Sequence, residues 1–93
     1  MDRRTFLVER YWPDIDEARA RALARSLSEA ARSMTAEGVR VEHVESILMP
    51  RDRVVFSVIA AADEASARQL TARVGAPADR IALAVRLTDG DPG

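Results

Sequence analysis

Seven consecutive residues, Val54-Val55-Phe56-Ser57-Val58-Ile59-Ala60, are apolar except for one serine. The run is far shorter than a membrane span and rich in β-branched side chains. It therefore predicts a strand at the middle of a sheet, covered on both faces. The flanking segments must supply its neighbours and its cover.

A polar turn of hairpin length, Pro50-Arg51-Asp52-Arg53, precedes the run, and Val39 to Met49 alternates loosely, with Val41, Val44, Ile47 and Leu48. These residues predict a hairpin partner strand ending near Pro50. At the start of the chain, Arg4 to Trp12 is rich in aromatic and β-preferring types and stops at Pro13, as a first strand would. Near the end, Ile81, Leu83, Val85 and Leu87 alternate with Ala82, Ala84 and Arg86, the period of a fourth strand.

Two helices fill the gaps. Pro13-Asp14-Ile15-Asp16 opens the first, with Asp14 or Asp16 as N-cap and Glu17 adding negative charge to the first turn. Leu23, Leu27, Ala30 and Met34 recur at helical spacing, and Gly38 supplies the stop. The second helix is capped by Asp63, carries Ala67, Leu70 and Val74 inward, and ends at Gly75 before Pro77. Helices are expected near residues 15–37 and 63–74.

The order is β-α-β-β-α-β, a ferredoxin-like α+β sandwich in one domain spanning residues 1–93, with an ordered core over about 4–87 and a flexible tail at 88–93. Right-handed crossovers put both helices on one face of a four-stranded antiparallel sheet. The strands, however, are apolar on both sides. Leu7 and Tyr11 oppose Phe6 and Val8, while Val55 and Ile59 oppose Phe56 and Val58. A homodimer pairing through the sheet face that carries Leu7, Tyr11, Val55 and Ile59, as in dimeric α/β barrels, is the expected cover.

Composition removes several chemistries. The 93 residues contain no Cys, so disulfides, thiolate nucleophiles and zinc ribbons are out. They contain no Lys, which excludes Schiff-base and lysine-held cofactor chemistry. A net charge of −1 gives no reason to expect nucleic acid or an acidic membrane surface. The stripe Arg21, Arg25, Ser28, Arg32 on the first helix can pair with Glu17 and Glu29 and reads as a solvated face. Phe56 alone lacks the paired aromatics of RNA-reading sheets. No phosphate loop is present, and Met1-Asp2-Arg3-Arg4 leads into a strand without a signal-like apolar run, so the cytoplasm is the expected location.

The remaining chemical candidates are polar groups inside strands. Glu9 lies mid-strand, and His43 and Glu45 are two apart, which puts them on one face of a regular strand. A histidine with carboxylates suits a borderline divalent cation such as nickel, or a proton transfer. An edge strand presenting its polar residues to water accounts for the same pattern.

Leu7-Val8-Glu9-Arg10 followed by Pro13, Val44-Glu45-Ser46-Ile47, and Gly75-Ala76-Pro77-Ala78-Asp79-Arg80-Ile81 together resemble domain of unknown function 4242, the bacterial nickel-binding-protein-like family, over roughly residues 5–87. The resemblance implies a ferredoxin-like fold, a dimer, and nickel bound in at least one member. It also implies a Cys, an acidic residue and a His in several members, where this chain has Phe56, Ile59 and Leu70. Three functions stay open: a metal-binding homodimer using Glu9, His43 and Glu45, a metal-free regulatory or interaction module, and a cofactor-independent enzyme acting on a small organic ligand with His43 or Glu9 as base.

Overall fold

A computed structural model describes residues 3–87. The expected flexible tail at 88–93 lies outside the described residues. Six elements follow in chain order: β1 (Arg4–Tyr11), α1 (Glu17–Ala36), β2 (Val41–Met49), β3 (Val54–Ala61), α2 (Glu64–Arg73) and β4 (Arg80–Ala84). The strands form one sheet in the order β2-β3-β1-β4, every neighbouring pair antiparallel. This is the ferredoxin-like arrangement, and the apolar run sits at its centre as β3.

Both helices start and stop for local reasons. The Asp16 carboxylate accepts the Arg19 N–H at 2.7 Å, and the Asp63 carboxylate accepts the Ser66 N–H at 2.8 Å, each satisfying a donor that the first helical turn leaves free. At the other ends, Val39 N–H reaches the Met34 carbonyl at 2.9 Å and Ala76 N–H the Thr71 carbonyl at 3.1 Å. These six-residue closures need a left-handed residue between helix and exit, and Gly38 (φ +100°) and Gly75 (φ +71°) occupy those places.

Register fixes the faces. Phe6 pairs with Ile59, Val8 with Ser57 and Arg10 with Val55, and Phe6, Val8, Val55 and Ile59 are buried together with Leu23, Leu27, Ala31 and Met34 of α1 and Ala67 and Leu70 of α2. The opposite face carries Leu7, Glu9 and Tyr11 of β1 beside Val54, Phe56 and Val58 of β3. The expected dimer face is thus corrected. Val55 and Ile59, both 0% exposed, belong to the helix-covered core, and it is Phe56 and Val58 that accompany Leu7 and Tyr11. Reading two strands separately leaves their relative phase open, and the cross-strand register closes it.

β4 is shorter than its alternation implies. It ends at Ala84, and Val85 and Leu87 are 79% and 90% exposed. Among the described residues no helix is long and apolar enough to cross a membrane.

Candidate functional site

The site candidates hinge on an irregularity in β2. His43 pairs with Ile59 and Glu45 with Val58, so three residues of β2 oppose two of β3 and the register shifts at Val44. A bulge of this kind reverses the alternation that follows it. His43 and Glu45 therefore project from opposite faces, which corrects the expectation that they share one. His43 points under α1, and Glu45 lies on the open face with Glu9.

His43 closes a chain of side-chain hydrogen bonds through the helix-facing layer. Its Nδ1 is 2.7 Å from Ser28 Oγ on α1 and its Nε2 2.8 Å from Ser46 Oγ, which is in turn 2.8 Å from Ser57 Oγ on β3. Ser57 is completely buried, and Ser46 is its direct cross-strand partner. Burial pushes the imidazole pKa below its usual value, opposed by a backbone hydrogen bond at Glu45. A neutral imidazole has one donor and one acceptor nitrogen, which the two hydroxyls occupy. A sequence signal for this chain existed in Ser57, the one polar residue in the apolar run, because a buried hydroxyl needs a partner.

On the open face, Glu9 sits opposite Arg80 with 3.9 Å between their charged atoms, and Glu45 meets Arg86 at 4.0 Å. A side-chain hydrogen bond to Glu9, reinforced by that carboxylate's charge, raises the Tyr11 pKa. Glu42 pairs with Arg3. Each of these three carboxylates thus has an arginine beside it.

Glu9 and Glu45 belong to strands separated by β3, where they oppose Phe56 and Val58. Two strand spacings alone separate them by roughly 10 Å, too far for one ion to bridge. His43 is on the other face. Among the described residues no three of His, Cys, Asp and Glu converge to hold a metal, so Glu9, His43 and Glu45 of one chain do not together fit a nickel ion. Of the positions at which the family resemblance implied polar groups, Ile59 and Leu70 are completely buried in the core, and Phe56 is half-buried on the open face.

A buried arginine escaped the sequence reading. Arg10 is 5% exposed and continues the inward series of Phe6 and Val8. Its Nε and Nη2 donate to the Ala76 carbonyl at 3.0 and 2.6 Å. Desolvation lowers its pKa, and the charge of Asp79 opposes this. Asp79 also accepts the Tyr11 N–H at 2.7 Å, and its own N–H donates to the Glu9 carbonyl at 2.9 Å. These bonds tether the loop after α2 to the end of β1, and the Pro77-Ala78-Asp79 stretch of the family-like motif acts structurally here. The inward phase of position 10 was the available signal.

Two concavities flank the helix layer. One, of about 790 Å³, lies between the second half of α1 and the start of β2, with Ser28, Arg32, Arg40 and His43 among its walls. The other, of about 510 Å³, lies near Trp12, Arg19 and the loop after α2.

Residues 6–83 match the family described as nickel responsive protein, SCO4226-like. The match agrees with the nickel-related part of the sequence resemblance and does not bear on the label domain of unknown function 4242. The fold also matches the crystal structure of SCO4226 from Streptomyces coelicolor A3(2), with a TM-score of 0.69 at 15% identity, covering 90% of this chain and 98% of that one. At that identity the likeness speaks for the fold. No curated protein matches the chain.

Proposed function

The chain belongs to the SCO4226-like family of nickel-responsive proteins, and from that premise we propose that it works as a homodimer paired through its open sheet face, binding nickel between copies rather than within one. The observation that carries this reading is the composition of that face. Leu7, Tyr11, Phe56, Ile47 and Met49 make it apolar, with Tyr11, Ile47 and Met49 at 60%, 49% and 41% exposure. Its carboxylates Glu9, Glu42 and Glu45 each lie beside an arginine. The apolar part of such a surface gains by burial against a copy of itself, a two-fold interface sets the same patch on both sides, and the arginine beside each carboxylate offsets part of the cost of desolvating it.

Pairing also answers the missing donors. Glu9 and Glu45 do not close a site in one chain, but a two-fold axis doubles the carboxylates in the shared space. Carboxylates and water are harder ligands than nickel prefers, so binding is expected to be modest. His43, facing α1, stays outside such a site.

Calorimetric titration of nickel into metal-free protein, with mass read by light scattering, tests the reading. The expected result is a dimer that binds at most one nickel per two chains, loses binding in the double variant Glu9→Gln/Glu45→Gln, and keeps it in His43→Ala. A monomer mass at tens of micromolar, or loss of nickel in His43→Ala with retention in the double variant, overturns it. A dimer that binds no nickel at all transfers the case to the metal-free interaction module.

A further inference from the structure

We propose that the cleft between the second half of α1 and the start of β2 is a binding site for a small organic oxyanion, a carboxylate or phosphate group carried on a compact carbon skeleton. The inference does not rest on the nickel reading, because the cleft lies beside α1 at the outer edge of β2 and, of its polar walls Ser28, Arg32, Arg40 and Glu42, the recognition groups exclude Glu42, which borders the open sheet face.

The size is right for a small molecule rather than a bare ion. A volume of about 790 Å³ falls within the range of small-ligand pockets. The wall is mixed, with the small side chains of Ala31 and Ala36 and the apolar Val41 beside the polar groups. Such a surface accommodates a carbon skeleton while its polar members fix a charged end.

The charge is one-sided. Arg32, from α1, and Arg40, from the segment entering β2, both line the cleft, and neither has a carboxylate within ion-pairing distance among the described residues. The single acid in the wall, Glu42, is already engaged by Arg3. Two uncompensated guanidinium groups thus share one concavity in a chain whose net charge is −1. Guanidinium forks match the geometry of carboxylate and phosphate oxygens and bind them through paired N–H donors.

A neutral donor completes the set. Ser28 lines the same wall, one turn before Arg32 on α1, and its Oγ is held 2.7 Å from His43 Nδ1. That bond fixes the hydroxyl in place. When the ring nitrogen is the donor, the Ser28 O–H is free to point at an oxyanion seated between the two arginines. Thr35 offers no comparable group, because its hydroxyl donates to the Val41 carbonyl at 2.9 Å. The recognition set is therefore Arg32, Arg40 and Ser28.

The test uses the full chain, free of metal and at low ionic strength, with inorganic phosphate and succinate as separate probes and amide chemical shifts as the readout. Both anions are expected to shift amides around residues 28–43 saturably, and the tighter arm identifies phosphate ester or carboxylate as the natural headgroup. The double variant Arg32→Gln/Arg40→Gln should bind at least about tenfold more weakly with an unchanged melting temperature. Arg25→Gln, on the same helix but outside the cleft, should bind like wild type. No saturable shift with either anion up to tens of millimolar, equal binding in the double variant, or an equal loss in Arg25→Gln overturns the proposal. The last outcome reduces the effect to general surface charge.

Discussion

His43 is the only histidine in the chain, which makes its titration readable in isolation. Burial holds its folded-state pKa below the ordinary value of 6.5. The unfolded chain therefore takes up a proton first as pH falls, and stability declines from about pH 6.5 downward until the folded form also protonates. Above that window the contribution is fully present. Ordinary carboxylates titrate near pH 4, so a comparison at pH 7.5 and 5.5 isolates the imidazole. Urea midpoints should fall between those values in wild type and change less in His43→Gln. The variant should also lose about 1–3 kcal/mol at pH 7.5, because a glutamine does not satisfy Ser28 and Ser46 together. A wild-type midpoint that rises toward pH 5.5 contradicts the burial argument. The same logic accounts for part of Arg10, whose Nε and Nη2 hold the Ala76 carbonyl while its Nη1 is buried with no hydrogen-bond partner among the described residues. Position 10 was legible as inward from Phe6 and Val8, but its acceptor 66 residues away was not.

Among the elements, α1 was almost fully legible because its ends are set by residues within one turn. The one ambiguity, Asp14 or Asp16 as cap, is resolved by the Asp16 carboxylate at 2.7 Å from the Arg19 N–H. Asp16→Ala should cost about 1 kcal/mol and lower the melting temperature by roughly 4–8 °C. Asp14→Ala should change little, since Asp14 contributes its backbone carbonyl to Arg19 and not its side chain. Equal effects in thermal melts would reject the cap assignment. The stripe on this helix pairs in part as anticipated. Arg21 meets Glu17 at 2.8 Å, while Arg25 and Glu29 form no ion pair among the described residues. β2 was the least legible element. No glycine or proline marks Val44, and one extra residue there sends His43 and Glu45 to opposite sides.

For the whole molecule, the open face is the feature with the widest consequence. Ile47 is half exposed on it, so Ile47→Glu should leave the single-chain stability within about 0.5 kcal/mol while burying an unpaired charge in any paired state. Light scattering should then report twice the chain mass for wild type and one chain mass for the variant, with unchanged helical circular dichroism. Equal masses for both would remove this face from the assembly. The amino-acid order by itself determined the existence and order of the six elements, the glycine stops of both helices, the Asp63 cap, the central place of β3 and the exclusion of thiol and lysine chemistry. Each of these depends on residues within a few positions of one another. Tertiary structure alone decided that Val55 and Ile59 face the helices, that Glu9 and Glu45 share a face without His43, and that Arg32, Arg40 and Ser28 meet in one cleft. A strand's side-chain direction has a period of two, so one inserted residue or one unit of register reverses it. A buried polar group is stable only through partners that the fold brings from distant parts of the chain.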